Sequence, residues 1–361
     1  MNRIDQLDGL RGLFIILITI NHIESPLTAF TYQPLGYVSA AEGFVFLSGL
    51  VAGLVYYRRL ETRGFTKAFK NAFKRVRTIY KYHVLALLVV CVVGYVSVIH
   101  QEFWAKLLAG FLQDPVQAFT LGLLLLYQPD FFDILPMYCI FLIALPFLLY
   151  QFRQNRSRWV LTGSVLLWII SQIGLGLSYK ATYHAQRILP TVEFSYMDIF
   201  AWQLLFVAGA YIAYRRASGN EIRLPRYCAW ISVLVVGLLT LNRFHLLGTT
   251  DDLWWNLIDK HRLGPLRVLN FAALIVLFQF LMQSYRSLFA QPWLVILGKH
   301  SLQVFSLHII LIFLLLPLVA LYTDNNPMAY VAFAGFVLLC LYVVAWSRER
   351  IKQAKKHPAM A

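Results

Sequence analysis

The chain has 361 residues, 59% of them hydrophobic and 14% charged, with a formal net charge of +15. Such a composition excludes an ordinary soluble domain. Apolar runs of about twenty residues, without polar–apolar alternation, exclude a β-barrel. The positive charge does not mark a nucleic-acid binder either, because it falls between apolar runs, as the positive-inside rule requires.

Eleven apolar runs are predicted, at about 10–24, 37–57, 79–98, 106–127, 134–151, 159–178, 197–214, 227–243, 267–285, 299–321 and 327–346. Asp5 and Asp8 precede the first run together with Arg3 and Arg11. It therefore lacks the basic leader of a cleaved signal peptide and is expected to stay in the protein. The run contains RGLFIILITINH, in which Arg11 and His22 stand eleven positions apart. On a helix that is about 1100° of rotation and about 16.5 Å of rise, so both side chains share one face to within about 20°. His22 is thereby placed near mid-membrane with an arginine at one surface. Ionisable groups are costly in hydrocarbon, so the pair is a functional-site candidate.

The second run opens at Glu42 in SAAEGFVFLSG, near the expected level of His22, where a carboxylate can orient an imidazole or raise its basicity. Gly43, Ser48, Gly49 and Gly53 give the small-residue spacing of closely packed helices. The next segment, 58–81, carries nine Lys/Arg and one Glu and reads as a cytoplasmic loop. At its far end Lys74, Arg75, Arg77 and Lys81, followed by His83, suit the phosphates of a nucleotide-like donor. Plain positive-inside anchoring also accounts for any one of them.

The run at 106–127 is broken by Gln113-Asp114-Pro115, a poor mid-bilayer sequence. Taking it out of the spans leaves 25 of the 32 Lys/Arg on the cytoplasmic side, against seven outside or in flanks: Lys106, Lys180, Arg187, Arg243, Lys260, Arg262 and Arg267. The prediction is a single all-α domain over 1–361. It has ten transmembrane helices, both termini cytoplasmic, 106–127 re-entrant or interfacial on the outer side, and a basic tail at 347–361 that meets anionic lipid. Outer loops then hold Asp130, Asp133, Glu193, Asp198, Asp251, Asp252, Asp259 and Asp324 with Trp104, Tyr183, Tyr196, Trp254 and Trp255. That mixture suits a carbohydrate surface, and equally an interfacial aromatic belt. The run at 299–321 lies in LGKHSLQVFSLHII and lifts His308 about 13.5 Å above Lys299, so His22 and His308 are expected to share one polar cavity. Cys91, Cys139, Cys228 and Cys340 lie in or beside apolar spans and suggest no disulfide framework. No metal-ligand spacing accompanies the histidines, so no metal is expected.

The blocks LDGLRGLFIILITINH, AEGFVFLSG, RVRTIYKYH and LGKHSLQVFSLH, in that order, resemble the acyltransferase 3 superfamily of integral membrane acyltransferases. They are closest to its OpgC branch, named for succinylation of osmoregulated periplasmic glucans. The resemblance runs from Leu7 to about His308. It implies transfer of an acyl group from cytoplasmic acyl-CoA (succinyl-CoA or acetyl-CoA) to a hydroxyl of an extracytoplasmic glycan. The setting is the bacterial inner membrane, with membrane lipids as surroundings and no permanently bound cofactor. The family histidine maps to His22 and its arginine to Arg11. The family's arginine pair falls on Lys74 and Arg77, and a lysine keeps the charge but not the bidentate geometry. In that chemistry His22 is the general base, with Glu42 orienting it. Arg11, Ser48 or His308 faces the oxyanion. Lys74, Arg75, Arg77, Lys81 and Ser48 hold the donor. Ser48 stands in LSG and not in a nucleophile elbow. The competing reading is a transporter or flippase, which calls for inverted repeats and paired interrupted helices; the sequence has one interruption and no repeat.

Overall fold

A backbone that leaves water for hydrocarbon must satisfy its own hydrogen bonds, and a helix does so within one segment. The computed structural model describes residues 5–96, 108–176, 182, 185–222, 224–248, 252–285, 287–322 and 326–356. In chain order its helices are α1 (Asp5–Ile23), α2 (Thr28–Thr31), α3 (Ala40–Val96), α4 (Ala109–Gln113), α5 (Pro115–Leu123), α6 (Ile134–Arg153) and α7 (Ser157–Gln172). There follow α8 (Ile199–Ala217), α9 (Arg226–Arg243), α10 (Asp252–Ile258), α11 (Pro265–Ser284), α12 (Pro292–Lys299), α13 (Ser301–Tyr322) and α14 (Pro327–Lys356). Five of them, α3, α6, α11, α13 and α14, are long and apolar enough to cross a membrane. The protein is all-helical and built for a membrane. Helix α9 turns Trp230, Ile231 and Leu234 outward, with Trp230 75% exposed, a face suited to lipid. Arg3, Trp104, Lys180, Tyr183, Asp251, Asp324, residues 106–107 and 357–361, and the side chain of Asp252 lie outside the described residues.

Helix α3 is the centre of the bundle and packs against α1, α6, α8 and α13. Its first half approaches α8 closely. A Cβ on Gly49 would lie 2.1 Å from the Phe206 carbonyl oxygen, and one on Gly209 would lie 2.3 Å from that of Phe46. Only paired glycines allow this approach, which is the small-residue packing expected of the second run.

The basic connection 58–81 is itself built of helix. It is helical on both sides of Gly64, whose φ of 75° and ψ of 171° fold α3 back on itself. Arginine and lysine are good helix formers, so a charged connection stays helical unless a glycine breaks it. The reversal is visible where the Tyr56 hydroxyl donates to the Asn71 carbonyl at 3.5 Å. Fifteen residues along a straight helix would separate those groups by about 22 Å.

One other run also divides. The described part of 106–127 forms α4 and α5, of five and nine residues, which meet at Asp114. The Asp114 side chain caps α5 by accepting from the Gln117 amide at 2.9 Å, with Pro115 next in line. Neither helix is long enough to span a bilayer. The run expected at 299–321 forms the single helix α13, set off from the short α12 at His300. The His300 ring meets the Glu349 carboxylate at 2.8 Å and so ties the break to α14. The segment after α5 is stitched to the strand-like stretch before α8 by an isolated bridge between Tyr127 and Glu193. Gln128 there donates from its amide to the Glu193 carbonyl.

A Cβ at Gly64 would meet nothing within 4 Å, so its constraint is purely conformational. Replacing it with alanine forces an L-residue into a region reserved for glycine, at a cost of about 1–3 kcal/mol. Gly64→Ala is expected to lower the thermal midpoint of detergent-purified protein; an unchanged midpoint would mean the reversal lies elsewhere.

Candidate active site

Helix α1 carries His22 in its last turn, and α13 carries His308. They are 286 positions apart in sequence, yet His22 Nδ1 lies 3.1 Å from His308 Nε2. The ring planes are inclined by 29°, with centroids 5.3 Å apart. His308 is fully buried and its Nδ1 lies 2.6 Å from the Phe305 carbonyl oxygen. A carbonyl only accepts, so His308 Nδ1 carries the proton and, in the neutral ring, Nε2 is the acceptor. His22 Nδ1 must then be the donor. With both rings neutral, the relay leaves His22 Nε2 as a bare lone pair.

Phe131 covers the His22 ring at a centroid distance of 4.2 Å. Its φ is 70°, a region bulky residues seldom occupy and one that costs energy to hold. Phe131 and Phe132 both pack edge-on to Phe313 of α13. Backbone strain of this kind gathers at working sites, and here it lies beside His22.

Arg11 and His22 do face one side of α1, and a stack of rings joins them. The Arg11 guanidinium sits 5.8 Å from the Phe44 ring centre. Phe44 stacks on Phe305, and Phe305 packs against His308. The arginine and the histidine pair thus bound one aromatic column.

Glu42 does not touch the imidazole. Its carboxylate is fully buried and pairs with Arg267 Nη1 at 2.6 Å. The other oxygen accepts from the Ser39 amide at 3.0 Å and its hydroxyl at 2.5 Å. Arg267 also donates from Nε to the Ile258 carbonyl. The sequence signal for this is Ser39-x-x-Glu42, the pattern of a capping box at the start of α3. Arg267, placed among the outer flanking cations by charge alone, is the partner that sequence reasoning missed. Ser48 is committed as well: its hydroxyl donates to the Phe44 carbonyl one turn back, at 2.8 Å.

Lys74, Arg77 and Lys81 form one exposed strip on the second half of α3, while Arg75 turns toward Tyr56 at the α3 reversal. The strip is separate from the histidine pair. Outside the spans, three carboxylates gather near the strained segment. Burial, then Asp130 and Asp133, pushes Glu193 up to about 7. Burial raises Asp130, and burial with help from Asp130 pushes Asp133 up to about 6. Asp198 stands apart from this group, where it caps α8 and accepts from the Ser171 hydroxyl at 2.7 Å. Among the described residues no cluster of His, Cys, Asp and Glu is arranged to hold a metal ion.

A family model described as "OpgC protein" matches residues 3–353. No curated protein and no solved structure matches the chain.

Removing one partner of a buried ion pair strands the other charge, at about 3–5 kcal/mol. Arg267→Met is therefore expected to unfold or strongly destabilise the protein. The double variant Glu42→Gln, Arg267→Met removes both charges and is expected to recover most of that loss in a thermal melt. A double variant no more stable than Arg267→Met would show that the pair is not the unit of stability here.

Proposed function

The chain belongs to the OpgC protein family, and from that premise we propose that it is a membrane O-acyltransferase. In this reading it takes a succinyl or acetyl group from cytoplasmic acyl-CoA and places it on a hydroxyl of a periplasmic or other extracytoplasmic glycan. His22 is the general base. The observation that carries the reading is the histidine relay, Phe305 carbonyl to His308 to His22, which presents an unprotonated His22 Nε2.

Donor and acceptor arrive from opposite faces, so the reacting atoms must meet inside the bilayer, at the depth where α1 holds His22. The acceptor hydroxyl gives its proton to His22 Nε2 as its oxygen attacks the thioester carbon. The carbonyl π pair moves to oxygen. When that oxyanion collapses, the C–S bond breaks and the imidazolium returns its proton to the departing sulfur, giving ester and free thiol. Direct transfer needs no acyl-enzyme, and Ser48, bonded back to its own helix, offers no support for one. The buried Glu42–Arg267 pair acts as scaffold in this account: it fixes the start of α3 beside α11.

The exposed strip Lys74, Arg77, Lys81, with Arg75 beside it, is the proposed seat for the donor's phosphates. The topology that goes with the reading has ten spans in the bacterial inner membrane, both termini cytoplasmic, and α4–α5 on the outer side. The charge distribution supports it.

A positioned general base contributes about 10²–10⁴-fold to rate. His22→Ala is expected to lose at least a hundredfold in thiol release from succinyl-CoA with a glucose oligosaccharide as acceptor. The same variant is expected to keep the thermal stabilisation that succinyl-CoA gives the wild type. Retained turnover would remove His22 as the base.

A further inference from the structure

Away from the histidine pair, a cavity of about 540 Å³ lies at the end of the first half of α3. It is lined by Leu54, Val55, Arg58, Arg59, Thr62 and Arg63. Successive pairs in this set stand four residues apart, so one face of a single helix supplies the whole lining. The strip Lys74, Arg77 and Lys81, on the other half of α3, takes no part in it.

The lining changes character along the helix. Leu54 and Val55 belong to the apolar run, and Val55 is left 40% exposed. The cations begin at Arg58. From there to Arg63 the helix rises about 7.5 Å, and the polar layer on one side of a bilayer is about 5–8 Å thick. The cavity therefore starts at the edge of the hydrocarbon and crosses one headgroup layer. Its apolar side chains stand at the hydrocarbon end and its guanidiniums at the water end.

The charge in the cavity is left open. Glu61, the carboxylate of this segment, turns to another face and pairs with Arg153 at the end of α6, at 2.8 Å. Among the described residues Arg58, Arg59 and Arg63 pair with no carboxylate. Arg59 is pre-set, with its guanidinium 5.2 Å from the Tyr56 ring centre. Charge that only keeps a segment on the cytoplasmic side is supplied by any lysine or arginine, wherever it points. Three guanidiniums in one cavity instead match an anion with several acceptor oxygens, as a phosphate has. Leu54 and Val55 beside them match a phosphate that carries hydrocarbon.

We propose that this cavity binds the headgroup of an anionic phospholipid. The phosphate diester sits among Arg58, Arg59 and Arg63, and the start of an acyl chain lies on Leu54 and Val55. A zwitterionic headgroup brings its own cation and leaves less net charge for the arginines, so the cavity selects net-negative lipid. The inference is independent of the base assigned above and leaves the donor's phosphates on the other half of α3.

The test uses the full chain in neutral detergent, titrated with phosphatidylglycerol or with phosphatidylcholine and read by its thermal midpoint. Phosphatidylglycerol is expected to raise the midpoint saturably, and phosphatidylcholine to have little effect. Arg58 and Arg63 are exposed, so Arg58→Gln, Arg63→Gln is expected to keep the wild-type midpoint in detergent alone. Its apparent affinity for phosphatidylglycerol is expected to fall about thirtyfold, from about fivefold for each charge removed. The tail variant Arg348→Gln, Lys355→Gln removes the same charge at other exposed positions and is expected to respond as wild type does. Equal responses to the two lipids would overturn the proposal. So would a wild-type response in the cavity variant, or an equal loss in the tail variant. A cavity variant that loses the shift given by CoA and keeps the one given by phosphatidylglycerol would assign the arginines to the donor, and would also overturn it. Native mass spectrometry of the wild type reads the site without any substitution: phosphatidylglycerol is expected to be retained over phosphatidylcholine, and retention without preference would contradict the proposal.

Discussion

One hydrogen bond organises this molecule: His22 Nδ1 to His308 Nε2, at 3.1 Å. It joins the first helix to the penultimate one, and its direction is set by a backbone carbonyl at Phe305. For it to form, α1, α3 and α13 must pack so that Phe44 and Phe305 stack behind the histidines. His308 is fully buried behind these rings, and His22 keeps partial exposure. Phe131, held at positive φ, closes the other side of the His22 ring. Strain and aromatic packing are thus concentrated around a single imidazole nitrogen.

A second constraint holds the frame. Burying Glu42 and Arg267 costs each its hydration, and a buried pair breaks even only when the remaining lone pairs and protons are satisfied. Here Ser39 supplies two donors to the carboxylate and Ile258 accepts from the guanidinium. The result is a rigid joint between the start of α3 and the start of α11. Next to that joint lies the turn 259–264, whose carbonyls are bound by Trp202, Gln172 and Trp168. The joint and the turn are therefore held together as one fastened region.

What was legible in the sequence follows from what is local. The shared face of Arg11 and His22 is a matter of counting along one helix, and counting also brought His308 near the right depth. Small residues announced the close contact of Gly49 with α8. The all-helical membrane character followed from the length of the apolar runs, and the four blocks carried the family. The failures are of two kinds. Charge density suggested a loop at 58–81, where good helix formers on both sides of Gly64 continue the helix and one glycine makes the reversal. Pairings across the chain were illegible: Glu42 is 225 residues from Arg267, and nothing in either segment names the other. The carboxylate was assigned to the nearest imidazole, and the buried guanidinium was counted as a flanking charge.

The central claim is that His308 fixes the tautomer of His22, leaving Nε2 bare. Nitrogen-15 NMR of histidine-labelled protein, assigned with His22→Gln and His308→Gln variants, reads this directly. The account predicts that in the neutral protein His22 is protonated at Nδ1, with a non-protonated Nε2, and that this preference is lost in His308→Gln. A His22 protonated at Nε2 in the wild type would contradict it.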